Sequence, residues 1–256
     1  MIDTHSHIYS EEFDEDIAEV ISRAKTVGVE KIVLPNIDSK SIDRMLRVEA
    51  LYPHFCHAAM GLHPTSVNEN YLIELKTVEN QLNSRNFVAI GEIGIDLYWD
   101  KTFEREQIIT FQTQCEWALQ RELPVIIHLR NSFTEIMNAL KPFKNKGLRG
   151  IFHSFSGTAA EASEILNFGD FYLGINGIVT FKNSNLSATL KEIPLQHIVT
   201  ETDAPYLTPA PHRGTRNETS YIALVVKKLA EIYQLTEAEI DCITTENAKK
   251  LFKILS

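Results

Sequence analysis

The sequence predicts an α/β fold, a single (β/α)8 barrel of the TIM type in which residues 1–256 form one domain. Short runs rich in Val, Ile and Leu alternate with longer segments of helical period, which is typical of parallel strands joined by helices. The length of 256 residues is close to the roughly 250 residues of one such barrel. His, Glu and Asp residues recur where the apolar runs end, which is the end of a barrel that carries reactive groups.

The eight apolar runs have the length of buried strands and are bounded by residues that favour turns. An open, doubly wound sheet would also place polar groups at the ends of its strands, so the alternation alone leaves the closure of the barrel open. In chain order, the predicted strands are residues 2–4, 31–34, 57–61, 87–91, 124–127, 150–152, 171–174 and 197–200.

Helical segments fill the intervals between strands. Residues 14–27 are the clearest example, because their apolar side chains recur at helical spacing and Gly28 follows as a stop signal. The same pattern recurs in residues 103–121, 159–166 and 221–232. Each of these segments predicts a crossover helix between two strands.

The formal net charge of −9 argues against a protein that coats duplex nucleic acid, because that mode depends on many Lys and Arg contacts with phosphate. The charge is compatible with the binding of one strand end. Two divalent ions among the carboxylates would add about four positive charges, which the whole-chain count omits. Such a site would attract phosphate in spite of the acidic total.

The three cysteines, Cys56, Cys115 and Cys242, form no CxxC pair, and the first two lie among apolar neighbours. This usage is typical of a reducing compartment. No leader with a basic and an apolar region precedes the first strand, and no apolar run reaches the roughly 18 residues that a membrane span needs. We therefore expect a cytoplasmic protein with no membrane partner, and the sequence indicates no obligate protein partner.

Six residues have the chemistry and the placement of metal ligands. Two histidines near the start are two positions apart, a spacing that places both imidazoles on one face of an extended strand. A single histidine at a strand end is usually a hydrogen-bonded structural residue, but recurrence at the ends of successive strands favours metal ligation. The candidate ligands are His5, His7, Glu92, His128, His153 and Asp203.

A mixed set of imidazole and carboxylate ligands suits Zn, Mn, Co or Ni better than Mg, which prefers oxygen ligands, and the identity of the metal stays open. We expect two ions per chain, because paired ions stabilise the attacking and the leaving oxygen together. Glu92 would then bridge the two ions. Asp203 would bind a metal and also take the proton of the attacking water, so both carboxylates are catalytic candidates.

Seven short motifs follow one another along nearly the whole chain: DTHSH at residues 3–7, GLHP at 61–64, GEIGID at 91–96, HLR at 128–130, HSFSG at 153–157, TETDAPYL at 200–207 and RNE at 216–218. In order and spacing they resemble the TatD family of metal-dependent deoxyribonucleases, which belong to the amidohydrolase-like TIM barrels. The resemblance implies that the six candidates bind the metals. It also implies a nuclease that trims DNA, with single-stranded 3′ ends as its substrate.

Four further residues are candidates for the surroundings of the metals. The resemblance suggests that His63 faces a substrate phosphate, and a turn histidine is the alternative. Arg130 would hold a phosphate by two parallel bonds, or it would form a salt bridge with a loop carboxylate. Arg216 would contact a polyanion from a loop, or it would anchor that loop to Glu218 or another carboxylate. Glu201, two residues before the last candidate ligand, would orient a ligand from behind.

Tyr98 and Trp99 follow the fourth predicted strand on a loop. An aromatic ring at this position could stack on an unpaired base. The two rings could instead cap the mouth of the barrel as packing residues. The sequence leaves both roles open.

Three functions from different classes are consistent with this set. The first is a deoxyribonuclease, which hydrolyses phosphodiester bonds of DNA. The second directs the same chemistry at a carboxylic ester or amide, for example the ester of a D-aminoacyl-tRNA. The third is a metal-binding protein without turnover, which the complete ligand set and the candidate base Asp203 disfavour. An anion pocket of His63, Arg130 and Arg216 beside the metals would favour the first.

Overall fold

The computed structural model describes residues 1–253, so the last three residues of the predicted domain lie outside the described residues. Its centre is a set of parallel strands that form two sheets in sequence order, one of the first three strands and one of the last five. The strands of residues 1–253 are β1 Ile2–Asp3, β2 Lys31–Pro35, β3 Cys56–Ala59, β4 Ile90–Asp96, β5 Val125–Arg130, β6 Arg149–Phe152, β7 Asp170–Ile175 and β8 Ile198–Thr200.

Backbone hydrogen bonds join the two sheets along both pairs of facing edges, β3 with β4 and β8 with β1, and so close the barrel. Between β3 and β4, the Gly91 amide donates to the Met60 carbonyl at 3.0 Å, and the Met60 amide donates to Ala89 at 3.1 Å. Between β8 and β1, the Thr4 amide donates to Thr200 at 3.1 Å. These bonds complete a ring in which each strand lies beside the next, so the predicted (β/α)8 barrel is confirmed.

Helices lie between the strands along the chain. The described residues form α1 Ile17–Thr26, α2 Ile42–Leu51, α3 Tyr71–Ser84, α4 Glu104–Gln120, α5 Phe133–Leu140, α6 Ala159–Phe168, α7 Leu186–Leu190, α8 Ile222–Tyr233 and α9 Glu237–Phe252. Thr158 and Thr236 are the N-cap residues of α6 and α9, and each forms a capping box with the glutamate three residues later. Across the described part of the chain, helices of the length and apolarity needed to span a bilayer are absent.

Successive side chains of a strand face opposite sides, and this alternation sorts the core into two layers. One layer fills the barrel interior and packs on the last turns of α9, while the other lies between the strands and the helices. The inner layer takes one residue from each strand or from the residue before it, namely Ile2, Val33, Ala59, Ala89, Ile126, Ile151, Tyr172 and Val199.

The fourth strand differs from its prediction, residues 87–91, because β4 runs from 90 to 96 and is buried throughout. Its polar residues Glu92 and Asp96 indicate the end of a strand in the sequence, yet both lie inside the barrel. The register of β4 against β5 shifts between Ile90 and Ile93. This irregularity changes which residues of β4 face inward.

The first strand is also shorter than predicted, since β1 ends at Asp3 and the two histidines lie beyond it. The chain nevertheless stays tied to its neighbours on both sides. The Ser6 amide donates to Val33 at 3.1 Å, and the His7 amide donates to Ala204 at 2.7 Å. The expectation that both imidazoles share one face therefore depends on these bonds and not on a regular strand.

Candidate metal centre

Strand alternation brings candidate ligands from different strands to one point above the barrel interior. His128 and His153 each follow an inward side chain of β5 or β6 by two residues, and Asp203 follows the inward residue of β8 by four. In β4 the shift of register places Glu92 on the inner face, although Ala89 also faces inward. The candidate ligands meet because each strand contributes the same face.

These side chains border a cavity of about 620 Å³ at the C-terminal ends of the strands, the end that the sequence predicts for the site. The cavity is large enough for part of a nucleotide-sized substrate. Its wall includes His7, His63, Glu92, Asp96, Trp99, His128, Arg130, His153, Asp203 and Tyr206.

Glu92 lies at the centre of the group and contacts imidazoles with both carboxylate oxygens. Its Oε2 is 3.1 Å from His5 Nε2 and 3.6 Å from His7 Nε2. Its Oε1 is 2.9 Å from His128 Nδ1 and 3.4 Å from His63 Nε2. Burial opposes ionisation, but the surrounding histidines hold the pKa of Glu92 well below its usual range. The carboxylate has the position expected of a bridge between two ions.

His5, His7 and Asp203 form the other side of the group. The two Nε2 atoms of the histidines are 3.0 Å apart, and they lie 3.7 and 3.6 Å from Asp203 Oδ1. Burial, and then the nearby His153, hold the pKa of His5 well below its usual range, and burial lowers that of His7 to about 4. Both imidazoles are therefore neutral at pH 7, the form that binds a metal.

The donor set of the cavity fits a borderline divalent metal. Imidazole nitrogens and carboxylate oxygens converge at buried positions, and three groups each offer three donor atoms within 4.8 Å of one another. Glu92 and His5 each belong to two of the groups, so neighbouring ions would share ligands. The groups are His5, Glu92 and His153; His5, His7 and Asp203; and His63, Glu92 and His128.

Glu201 lies behind His153, on the side of the ring that faces away from Glu92 and Asp203. His153 Nδ1 is 3.0 Å from Glu201 Oε1, while Nε2 faces Glu92 and Asp203, each at 3.8 Å. Burial lowers the pKa of His153, but the three carboxylates outweigh it and raise the pKa to about 10. Glycine at position 174 makes this arrangement possible, because a Cβ there would lie 2.2 Å from Glu201 Oε2.

Asp96 holds the remote nitrogen of His128 in the same manner, a role that the sequence prediction does not assign. Its Oδ2 is 2.9 Å from His128 Nε2, and its Oδ1 accepts the amide of Tyr98 at 3.0 Å. Strand alternation could have predicted this role, because Asp96 is four residues after Glu92 and lies on the same face of β4. A carboxylate at this position orients a ligating imidazole.

Tyr9 is a second partner that the sequence prediction does not include. Its hydroxyl donates to the Pro35 carbonyl at 2.5 Å, so its oxygen must accept the proton of His7 Nδ1 at 2.8 Å. This fixes His7 as the Nδ1–H tautomer and leaves the Nε2 lone pair facing the cavity. The two-residue spacing of the histidines continues to Tyr9, and this is the signal that could have found it.

His63 has the opposite tautomer. The Thr65 amide donates to His63 Nδ1 at 3.2 Å, and an amide can only donate, so the ring proton of neutral His63 is on Nε2. That nitrogen lies 3.2 Å from His128 Nδ1 and faces the cavity. His63 is therefore arranged to donate a hydrogen bond into the cavity.

Asp203 occupies a left-handed backbone conformation with φ of 59°, three residues after the end of β8. Its amide donates to His5 at 2.9 Å, and its carbonyl accepts the amide of Tyr206 at 2.8 Å, so hydrogen bonds on both sides hold this conformation. The side chain reaches the cavity and is the most exposed of the central carboxylates. Burial raises its pKa to about 7, and the nearby His153 limits the rise.

The two candidate arginines lie in different surroundings. Arg130 borders the cavity at the end of β5, with its guanidinium carbon 3.9 Å from the Tyr98 ring centroid. Arg216 is not among the residues that line the cavity. It donates two hydrogen bonds to Asp16, at 2.8 and 2.7 Å, and packs over Phe13. The contacts of Arg216 match the loop anchor that the sequence left as its alternative.

Comparison with known proteins identifies the family. Residues 2–253 match the family model described as TatD related DNase. The chain belongs to this family. The TatD-family assignment covers every strand and every candidate ligand of the centre, and it confirms the resemblance that the seven motifs indicate.

Relatives of known sequence or structure agree with this assignment. An uncharacterized metal-dependent hydrolase of Bacillus subtilis (strain 168), YabD, is 40% identical over 255 residues, 99% of each chain. A 3′-5′ ssDNA/RNA exonuclease TatD of Pectobacterium carotovorum (strain PC1) is 28% identical over 260 residues, 99% of this chain and 100% of that one. The crystal structure of the TatD homologue YjjV from Escherichia coli K12 superposes with a TM-score of 0.92 at 29% identity. The superposition covers 100% of this chain and 98% of that one. This chain is thus a TatD-family metal-dependent hydrolase.

Proposed function

We propose that this hydrolase is a deoxyribonuclease that removes nucleotides from the 3′ end of single-stranded DNA, with two divalent ions as cofactors. The observation that carries the proposal is that Glu92 contacts candidate ligands with both carboxylate oxygens, His5 with Oε2 and His128 with Oε1, beside one open cavity. Shared ligands favour paired ions, the arrangement suited to displacement at phosphorus. The name of the Pectobacterium relative, an exonuclease matched along its whole length, supports a single-stranded substrate.

Six side chains would hold the ions, and their chemistry favours Zn, Mn, Co or Ni over Mg. Divalent ions bound at this centre would supply positive charge to the phosphate and would lower the pKa of water. The resident metal is an outcome of the experiment below. The six are the residues expected from the sequence, namely His5, His7, Glu92, His128, His153 and Asp203.

The protein's own groups perform the remaining steps. Asp203, at the cavity wall and facing three imidazoles, accepts the proton of the attacking water. His63 donates from Nε2 to a phosphate oxygen, because the Thr65 amide keeps its other nitrogen an acceptor. Arg130 adds a guanidinium to the same wall. Arg216 is left out of the substrate contacts because its guanidinium is bound to a carboxylate elsewhere.

Residues 1–256 would act as one catalytic domain, since the ligands come from strands at the beginning, the middle and the end of the chain. The cytoplasm remains the expected location, and no obligate protein partner is part of the proposal.

The test is hydrolysis of single-stranded DNA by metal-stripped protein that is resupplied with Mg, Mn, Co, Ni or Zn. A strand labelled at its 5′ end should give a ladder that shortens from the 3′ end, and a strand labelled at its 3′ end should release labelled mononucleotide. Asp203→Asn should abolish both products, because it removes the proton acceptor and weakens a ligand. Asp170→Asn makes the same chemical change at an exposed carboxylate outside the cavity and should cleave normally.

A ladder with RNA but not with DNA would move the proposal to ribonuclease activity at the same centre. Turnover of carboxylic esters, such as D-aminoacyl-tRNA, without cleavage of any strand would replace the nuclease by an ester hydrolase. Metal binding without turnover of either class would leave only the non-catalytic alternative. Full activity of Asp203→Asn would refute the mechanism even if DNA is cleaved.

A further inference from the structure

Three side chains form a group at the rim of the cavity, which we call the rim stack: Tyr98, Trp99 and Arg130. The two rings meet edge to face, with centroids 4.8 Å apart and an interplanar angle of 88°. The guanidinium carbon of Arg130 lies 3.9 Å from the Tyr98 centroid and 5.1 Å from that of Trp99. The cation therefore contacts both rings.

The rim stack is exposed, which argues against the packing role that the sequence left open. Trp99 is 71% exposed and Tyr98 is 51% exposed, although each ring has a large apolar surface. Scattered exposed apolar side chains are ordinary, but two adjacent rings beside a functional cavity indicate a binding surface. Because Arg130 lies over Tyr98, Trp99 is the ring with the larger open surface.

The rim stack is also tied to the metal centre through Asp96. One oxygen of this carboxylate accepts the Tyr98 amide at 3.0 Å, and the other lies 2.9 Å from the candidate ligand His128. Arg130 ends the strand that carries His128 and borders the same cavity. The position of the rings is thus set relative to the ligands, as a site for the neighbouring part of a substrate requires.

We infer that the rim stack binds one unpaired nucleobase of the substrate strand on the face of Trp99, with the Arg130 guanidinium beside the adjoining phosphate. Every nucleobase has an aromatic face, so this contact selects for unpaired bases and not for sequence. The charge of Arg130 complements a nucleotide and would repel a cationic ligand. A paired base inside a duplex cannot lie on the ring. The inference rests on the proposed nuclease function and adds how that site prefers single strands.

Intrinsic fluorescence gives a direct test, because Trp99 and Trp117 are the two tryptophans of the chain. In a Trp117→Phe, Asp203→Asn protein, which we expect to bind a strand without cleaving it, the tryptophan emission comes from Trp99. Single-stranded oligonucleotides should quench it. Strands whose last three 3′ nucleotides are abasic should quench much less, since they keep the phosphates and lack the rings.

Affinity measured by anisotropy of end-labelled strands provides the second readout. Trp99→Ala should weaken binding of the normal strand roughly five- to 150-fold, the range of one base stacked on an aromatic ring. It should weaken binding of the abasic strand far less, and Trp99→Phe should restore most of the loss. Leu72→Ala removes a side chain that is 65% exposed away from the cavity and should bind both strands like the parent.

Equal losses for the normal and the abasic strand in Trp99→Ala would overturn the inference, as would unchanged affinity for both. Either result would leave the proposed nuclease standing, because the ladder assay on the unmodified protein is independent of it. Absence of both binding and cleavage by the unmodified protein would overturn the proposed function and this inference together.

Discussion

Tyr9→Phe is expected to weaken metal binding although Tyr9 has no contact with a metal in the proposed centre. The substitution removes the only hydrogen-bond acceptor assigned to His7 Nδ1 among the described residues, and it leaves the Pro35 carbonyl without its donor. The proton of His7 is then free to move to Nε2, the atom that faces Glu92 and Asp203 at 3.6 Å. A ligand position is lost whenever that tautomer forms.

The magnitude follows from the burial of this chain of hydrogen bonds. Tyr9 and His7 are each 4% exposed, so water cannot replace the lost partner. An unpaired buried donor costs about 1–3 kcal/mol, which corresponds to an affinity change of roughly five- to 150-fold. Loss of a group that orients a metal-bound histidine typically costs roughly 10- to 100-fold. We therefore expect a decrease in metal affinity of roughly 10- to 100-fold.

The assay is competition between metal-stripped protein and a chromophoric chelator for Zn or Co at constant pH. Tyr233→Phe is the matched control, because Tyr233 also donates to a backbone carbonyl, Ile193 at 2.9 Å, far from the cavity. Nitrogen-15 spectra of His7 should show the Nδ1–H tautomer in the parent and its loss in the variant. Metal affinity within twofold of the parent, or an equal loss in Tyr233→Phe, would refute the reasoning.

Three further predictions concern other residues of the centre and its loops. The pKa of His153 is raised to about 10, so at neutral pH a metal must displace a proton from this imidazole. This competition alone should make metal affinity rise about tenfold per pH unit up to about pH 10. Glu201→Gln should remove much of that slope in titrations from pH 6 to 9, and parallel slopes would contradict the assignment. Arg130→Ala should reduce kcat/KM about tenfold for phosphodiesters and much less for a neutral ester, and equal reductions would count against a phosphate contact. Arg216→Ala breaks the pair with Asp16, in which the side chains are 31% and 32% exposed, and it should cost about 1 kcal/mol and roughly 2–4 °C in Tm with unchanged kcat/KM. A selective loss of DNA cleavage would restore Arg216 to the substrate contacts.

The sequence predicts most of the barrel because strand and crossover helix are both local patterns. Helices α1, α4, α6 and α8 lie within three residues of their predicted bounds. The fourth strand was misplaced for a physical reason: polar residues in an apolar run signal its end, except where they line a buried site. Glu92 and Asp96 are such residues, since neighbouring imidazoles stabilise their charge inside the barrel.

Contacts between distant residues were beyond the reach of the sequence pattern. Arg216 and Asp16 are 200 residues apart, and nothing in the local sequence of either indicates the other. Asp96 and Tyr9 were missed for a different reason. Both lie an even number of residues after a candidate ligand, so strand alternation predicts that their side chains face the same way as the ligand. Alternation does not show which atoms come within hydrogen-bond distance.

The groups behind the imidazoles explain how chemically identical side chains in one cavity can have different roles. The remote nitrogen of His7, of His128 and of His153 faces an oxygen that can accept a proton, so the other nitrogen is left to bind a metal. The remote nitrogen of His63 instead accepts a proton from a backbone amide, so its other nitrogen donates. His63 lies close enough to Glu92 and His128 to share a metal ion with them. The hydrogen bond from the Thr65 amide instead leaves a proton on Nε2, which suits contact with the substrate. The chemistry of His7, His63, His128 and His153 therefore depends on the group behind each ring. Loss of the Tyr9 hydroxyl or of the Asp96 or Glu201 carboxylate should weaken metal binding, whereas the main-chain amide behind His63 keeps that ring directed toward the substrate.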